Sequence, residues 1–414
     1  MNWSRLDLGV GLIVTAGLDM IWEQIHDLVD VVEVEPQTMW RPRDDGGWDL
    51  AEPAFAWVEG LGVPTLVHGV GFPVGGCEPP DPRGVALTAA CAARLRAAHW
   101  SEHLSFSRAV VAGRGIDTGF LLPPAQTAAG VAAAAGHVAA YRAAAPLPFL
   151  VETGVNYLRP RPGELSDGAY IAGVAEQGDC GILLDLHNLW ANQRNGRQPV
   201  AEVLDELPLD RVLEVHLAGG FEAGGYYLDA HAGPPANELL DLAASVMPRL
   251  PSVRAVIFEA VPEAVIALGA GGLRDVLTTL HRLCDNTSGQ SPRPAGPRRA
   301  GSRPAAAADL AAARDWERGL AAYTTRASDD IPTDDPGLGL LRQLTDNARL
   351  GELTLAQPGL LKQLLTGRGS AATERLLYRY LSACPPKRWT AAEGAQFTAW
   401  LAQLAAGDDL TACG

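Results

Sequence analysis

The chemistry of this chain concentrates where short apolar runs end. The run Gly181-Ile182-Leu183-Leu184 has the composition of a fully buried strand and stops in Asp185-Leu186-His187-Asn188, a carboxylate, an imidazole and an amide. Burying such groups unpaired costs several kcal/mol each, so a hydrogen-bond network or a metal must meet them (of order 2–7 kcal/mol per polar group). The same ending recurs along the chain. His68 closes LVHG, Glu102 and His103 stand in SEHLSF, and Glu152 with Asn156 in LVETGVNYL. His216 stands in EVHLAGG, Asp229 and His231 in LDAHAGP, and Glu259 in VIFEAV. Five of the nine histidines fall at such ends, together with four carboxylates. One strand histidine is usually a satisfied core residue. Eight or nine converging groups would demand a very large neutral network, so metal coordination is the better reading. Carboxylates and imidazoles in such number exceed what one ion takes, which implies bridging carboxylates and two or three ions. Mixed nitrogen and oxygen donors without cysteine suit Fe, Mn or Zn.

The elements that must position these groups are eight β-type runs, at residues 8–14, 31–35, 64–70, 100–106, 148–154, 181–187, 211–219 and 255–261. Helical patterns fill the gaps, Ala-rich at 85–98, 125–145 and 236–246. Alternating strands and helices with apolar strands predict a parallel sheet covered by helices. Eight units in roughly 280 residues match a TIM (β/α)8 barrel, whose functional residues sit at the C-terminal strand ends. Gly69-Val70-Gly71 and Gly219-Gly220 lack a P-loop lysine and are read as loop glycines that let backbone approach the site. His26, His99, His137 and His281 lie in helical or pre-strand positions and are expected to be structural or exposed. Cys77, in a Gly/Pro loop, is read as a free cysteine without a role.

Residues 285–306 are rich in Pro, Gly, Ser and Arg with almost no bulky apolar residue, and predict a flexible linker. Beyond it, helical spacing at 310–323, 338–349, 357–365, 374–382 and 391–405 predicts a small helical domain over 307–414, with the barrel over 1–284. The net charge of −15 argues against a nucleic-acid footprint or an anionic membrane surface. Six cysteines with no CxxC pair suggest a reduced chain. With no secretory h-region and no run of 18 apolar residues, the expected location is the cytoplasm.

The motifs HGVGFPVG, SEHLSF, LVETGVNYL, GDCGILLDLHN, EVHLAGG, DAHAGP and VIFEAVP, in this order over residues 5–280, resemble the DUF692 family. These are the multinuclear non-haem iron-dependent oxidative enzymes (MNIOs), among them the methanobactin biosynthesis oxidase. The resemblance implies a xylose-isomerase-like barrel with two or three irons in mixed Fe(II)/Fe(III) states and O2 as co-substrate. It implies oxidative modification of a cysteine or another residue in a ribosomally made precursor peptide. Metal roles then fall on His68, His103, Glu152, Asp185, Asn188, His216, Asp229, His231 and Glu259, with Asp185 and Glu259 also taken as catalytic. Some relatives place a histidine where this chain has Asn188, and the neighbouring His187 is left open as a ligand. Pro36-Gln37-Thr38 and Glu152-Thr153 stand where family members often read Glu-Asn, which bears on the substrate more than on the metals.

Family members commonly work with a separate partner that engages the peptide leader. Residues 307–414 are therefore expected either to be that partner function fused in cis, raising the effective peptide concentration at the barrel, or to be a helical appendage. Two other reaction classes fit the same barrel: a trinuclear zinc phosphodiesterase of the endonuclease IV type, and a divalent-metal sugar isomerase. Acidic charge opposes the first, and the second uses fewer ligands than stand here.

Overall fold

The structure, a computed structural model, describes residues 5–43, 48–288 and 307–406. Period-two alternation decides which side chains enter the barrel. The eight predicted runs form β1 (Gly9–Ile13), β2 (Val31–Val34), β3 (Thr65–Gly69), β4 (Trp100–His103), β5 (Phe149–Glu152), β6 (Gly181–Asp185), β7 (Val212–Leu217) and β8 (Ala255–Phe258). They close in the order β1-β8-β7-β6-β5-β4-β3-β2, every pair parallel. Val31, Leu66, Ala255 and Ile257 pack together as an apolar floor inside the barrel. Two residues further along the same strands come Glu33, His68 and Glu259, so the interior changes from apolar to ionisable within one pleat. Each buried aliphatic of the floor contributes roughly 1.5–3 kcal/mol, which helps offset the several kcal/mol per charge above it.

Two runs end earlier than their composition suggests. β6 stops at Asp185, and the helix Leu186–Arg194 begins at once because Asp185 accepts from the Asn188 backbone N–H at 2.7 Å. An aspartate at the N-cap satisfies one of the orphan donors of the first turn. His187 and Asn188 are therefore helical residues, not strand residues. The 100–106 run likewise breaks after His103. A separate hairpin, Phe106–Val111 with Arg114–Leu122, follows through Ala112 and Gly113, both at positive φ. Two positive-φ residues are what a tight hairpin turn of primed type requires.

The helix Pro262–Ser288, kinked at Gly269, extends into the span read as a linker; residues 289–306 of that span lie outside the described residues. Five helices follow: Ala307–Thr324, Gly337–Ala356, Pro358–Arg368, Ser370–Ala383 and Thr390–Ala406. Leu353, Leu376, Tyr380, Phe397 and Trp400 hold helices of this group to one another. Leu320, Ala321, Leu338 and Leu341 instead share a core with Phe106, Ala109 and Leu122 of the hairpin and with Tyr157 and Leu158. Cys77, Cys91, Cys180 and Cys284 are buried free thiols, whereas Cys384 is disulfide-bonded, so the expectation of a wholly reduced chain fails there. Among the described residues no helix is long and apolar enough to cross a membrane.

Glu317 pins the helical region to the barrel. Its carboxylate, 2 % exposed, accepts from the backbone N–H of Cys77 at 2.7 Å and of Ala125 at 3.2 Å. Burial pushes this carboxyl up to about 7, against the backbone hydrogen bonds that favour its ionised form. The folded state therefore holds the proton more tightly than the unfolded chain, where a glutamate titrates near 4.3. The contribution is present in full below that value and is lost as pH rises through about 7. Protection of the Cys77 and Ala125 amides against hydrogen exchange should fall between pH 5 and pH 8, and Glu317→Gln should flatten the profile. An unchanged slope in that variant would assign the titration to another group.

Candidate metal centre

Parallel register brings the ligand types together. His103 pairs with Glu152 across β4 and β5, Asp185 with His216 across β6 and β7, and His68 with Ser101 across β3 and β4. Four clusters result among the described residues, one of them Glu33 and Glu214 around His216, behind the predicted ligands. His68, His103 and Glu152 form the first. Glu152, Asp185, His216 and Glu259 form the second, and His187, Asp229 and His231 the third. Within each, one donor atom per residue lies within 4.8 Å of the others.

The first cluster has a donor set that could hold a cation. His103 Nδ1 stands 3.1 Å from the Gly69 carbonyl, which can only accept, so that nitrogen carries the hydrogen. The Ser101 hydroxyl donates to the Val67 carbonyl at 3.5 Å and is left to accept from His68 Nδ1 at 2.8 Å. Both Nε2 lone pairs then face Glu152 Oε2, at 3.1 Å from His68 and 3.0 Å from His103. Acceptor faces acceptor, and His68 Nε2 and Glu152 Oε2 are buried without a hydrogen-bond partner. Metal–nitrogen and metal–oxygen bonds of about 2.0–2.2 Å put adjacent ligands about 3 Å apart. The separations fit. Burial works to lower the His103 imidazolium, but the Glu152 carboxylate beside it overrules burial and raises the group to about 10.

The second cluster shares Glu152 with the first. Asp185 uses Oδ1 to cap its helix and leaves Oδ2 buried without a partner. Burial first, then the Glu152 and Asp229 charges, raise its carboxyl well above the usual range. His216 Nδ1 lies 3.1 Å from Glu259 Oε2, and its Nε2 faces Glu33 Oε2 at 3.0 Å. Behind it Glu214 bonds His99 at 2.8 Å. A ligand imidazole backed by carboxylates is held in one orientation and made more basic.

In the third cluster Asp229 Oδ1 lies 3.0 Å from His187 Nδ1 and 2.9 Å from His231 Nε2, and all three atoms are buried without a hydrogen-bond partner. His231 Nε2 also reaches Glu259 Oε2 at 3.5 Å, which links this cluster to the second. His231 has φ 49°, a costly backbone conformation for a residue with a side chain. Gly220 is required here: a Cβ would fall 3.0 Å from His187 Nε2 and 2.1 Å from the Leu228 carbonyl.

Eight of the nine predicted ligands thus stand in these clusters, with His187 beside them. Asn188 uses its amide N–H groups on the Thr153 carbonyl at 3.2 Å and on Glu152 at 3.4 Å. Its Oδ1 is buried without a hydrogen-bond partner and remains available as a neutral oxygen donor. Glu33, Glu214 and Glu35 escaped the sequence reading. Their signal was the period of two, Glu214 standing two residues before His216, and Glu33 and Glu35 alternating in VVEVE. His99 is structural in the sense expected. Cys77 lies against Glu317, not at the mouth.

A cavity of about 780 Å3 opens beside Glu259 and His231. Among the described residues, no Lys or Arg lines it.

The profile of a family described as "RiPP precursor modification enzyme MbnB/TglH/ChrH" matches residues 7–262. A UPF0276 protein of Streptomyces avermitilis is 34% identical over 192 residues, 45% of this chain and 39% of that protein. One of Chromobacterium violaceum is 32% identical over 209 residues, 50% of this chain and 72% of that protein. The matched part of the chain thus spans well under half of the first relative's length. Among solved structures, endonuclease IV from Thermus thermophilus is 18% identical with a TM-score of 0.42, covering 66% of this chain and 99% of that one. D-psicose 3-epimerase from Clostridium cellulolyticum is 11% identical with a TM-score of 0.42, covering 67% and 95%. Likenesses so distant carry no chemistry.

Proposed function

Because the chain belongs to the MbnB/TglH/ChrH family of RiPP precursor modification enzymes, we propose that it oxidatively modifies a residue of a ribosomally made precursor peptide, using iron and O2. The observation that supports this best is the chaining of three cation-seeking clusters through shared carboxylates, Glu152 between the first and second and Glu259 toward the third. Mixed imidazole and carboxylate donors with no thiolate suit iron. His68, His103 and Glu152 would hold one ion, Glu152, Asp185, His216 and Glu259 a second, and His187, Asp229 and His231 a third, with Asn188 Oδ1 as a further neutral donor. When bound, the ions supply O2 activation and a binding position for the substrate group.

The residues themselves do the positioning. Gly69 O and Ser101 hold the tautomers of His103 and His68, and Glu33 backs His216, so each donor atom is aimed before an ion arrives. The buried walls around Asp185, His187 and His216 exclude water, and the cavity beside Glu259 is the approach open to a peptide side chain. That no Lys or Arg lines it among the described residues disfavours the phosphodiesterase reading, since phosphate contacts need cations. The helices from Ala307 onward, which share a core with the hairpin that leaves β4, are assigned to peptide capture.

The test is reconstitution of the full chain with iron under anaerobic conditions, followed by O2 and a precursor peptide encoded beside it. O2 consumption with a mass change in the peptide is the expected result. Equal turnover by the zinc-loaded protein without O2 would end the reading.

A further inference from the structure

The 780 Å3 cavity beside the metal clusters has a charge of its own. Its size is in the range of small-molecule sites, about 300–1,000 Å3, enough for a side chain with its backbone. The walls are apolar, with Ile13, Met39, Pro53, Trp57 and Val58 among them. Two carboxylates outside the ligand set line it. Glu35 continues β2 in extended backbone two residues beyond Glu33, so alternation turns it toward the interior, and it is close enough to Glu259, His103 and His231 to feel their charges. Asp19 stands at the exposed rim.

The four candidate ligand carboxylates, Glu152, Asp185, Asp229 and Glu259, each share a cluster with imidazoles. Glu35 feels the His103 and His231 charges only at a distance, and neither it nor Asp19 forms an ion pair; among the described residues no Lys or Arg lines the cavity. An aliphatic corridor with an acid at each end, and an indole on its wall, is complementary to a cation on an apolar stem. We propose that this cavity is a specificity pocket for a lysine or arginine side chain of the peptide, its stem against Trp57 and Val58 and its charge on Glu35. The inference rests on the peptide-modifying function given above. It identifies what the substrate must present next to the residue that is modified. An entering cation favours the ionised Glu35 carboxylate, so binding and charge reinforce each other.

Binding of four probes to the metal-loaded full chain, followed by calorimetry, tests it. The probes are the Nα-acetyl methylamides of arginine, lysine, citrulline and norleucine. One or both cationic probes should bind at least about tenfold more tightly than the neutral partner of the same length, the size expected of one charge-assisted hydrogen bond. Which of the two binds better identifies guanidinium or ammonium as the group recognised. Glu35→Gln should erase the preference, and Asp19→Asn, at the exposed rim, should reduce it by a smaller factor. Equal binding of citrulline and arginine, a preference that survives Glu35→Gln, or no binding by any probe would each overturn the pocket assignment. Metal content of the same samples reports on the clusters separately, so a pocket that fails leaves the iron reading standing, and empty clusters would sink that reading whatever the probes do.

Discussion

Replacing Glu152 by alanine is expected to strip two ion positions at once. Its Oε2 stands 3.1 Å from His68 Nε2 and 3.0 Å from His103 Nε2, and the same side chain joins Asp185, His216 and Glu259 in the second cluster. The first cluster would keep only two imidazoles, and the second would lose a bridging charge. The third, built on His187, Asp229 and His231, shares no ligand with Glu152 and should fill as before. Metal analysis of the full-length protein should therefore show a loss of about two ions per chain for Glu152→Ala, against one for His187→Ala. Turnover should fall by more than about 100-fold in the first case, exceeding the 10–100-fold typical of changes behind a ligand. Wild-type metal content in Glu152→Ala would remove the shared-carboxylate arrangement.

The second large effect is on folding. His216 is fully buried and sits between Glu259 on one side and Glu33 and Glu214 on the other, at 3.1, 3.0 and 3.6 Å. His216→Ala leaves buried carboxylates facing each other with nothing cationic between them. Removing one partner of a buried ion pair costs about 3–5 kcal/mol, a large share of a total stability of roughly 5–15 kcal/mol. Thermal unfolding of the metal-free protein should drop by at least about 6 °C, at roughly 2–4 °C per kcal/mol for a domain this size. Adding Glu33→Gln to His216→Ala should recover part of the loss, because one of the stranded charges is gone, and the double-mutant cycle measures the coupling directly. A His216→Ala protein as stable as wild type would mean that Glu33 and Glu259 are satisfied by other groups, as Glu214 is by His99.

The sequence by itself determined the barrel and most of its ring of candidate metal ligands. Eight apolar runs alternating with helical segments admit few other folds, and a run that ends in His, Asp or Glu announces itself because burying such a group is expensive. Because strand residues two apart share a face, the linear string already contained the rule that places Glu214 behind His216. What it did not contain was the neighbour across the barrel. Glu33 lies nearly two hundred residues from His216, and only closure of β1 between β2 and β8 brings the two to 3.0 Å.

Tertiary structure alone decided three matters. It made Asp185 a helix cap as well as a candidate ligand, since one carboxylate oxygen takes the Asn188 N–H while the other stays buried and unpartnered. It gave His187 a place with Asp229 and His231, because the first helical turn swings that ring toward the long loop after β7, a direction a strand residue would not have had. And it joined the C-terminal helices to the barrel through Glu317, a contact 240 residues long in sequence. Local spacing records what a residue can do. The partner that makes use of it is supplied by chain closure, whose contacts depend on packing across distances that no local pattern encodes.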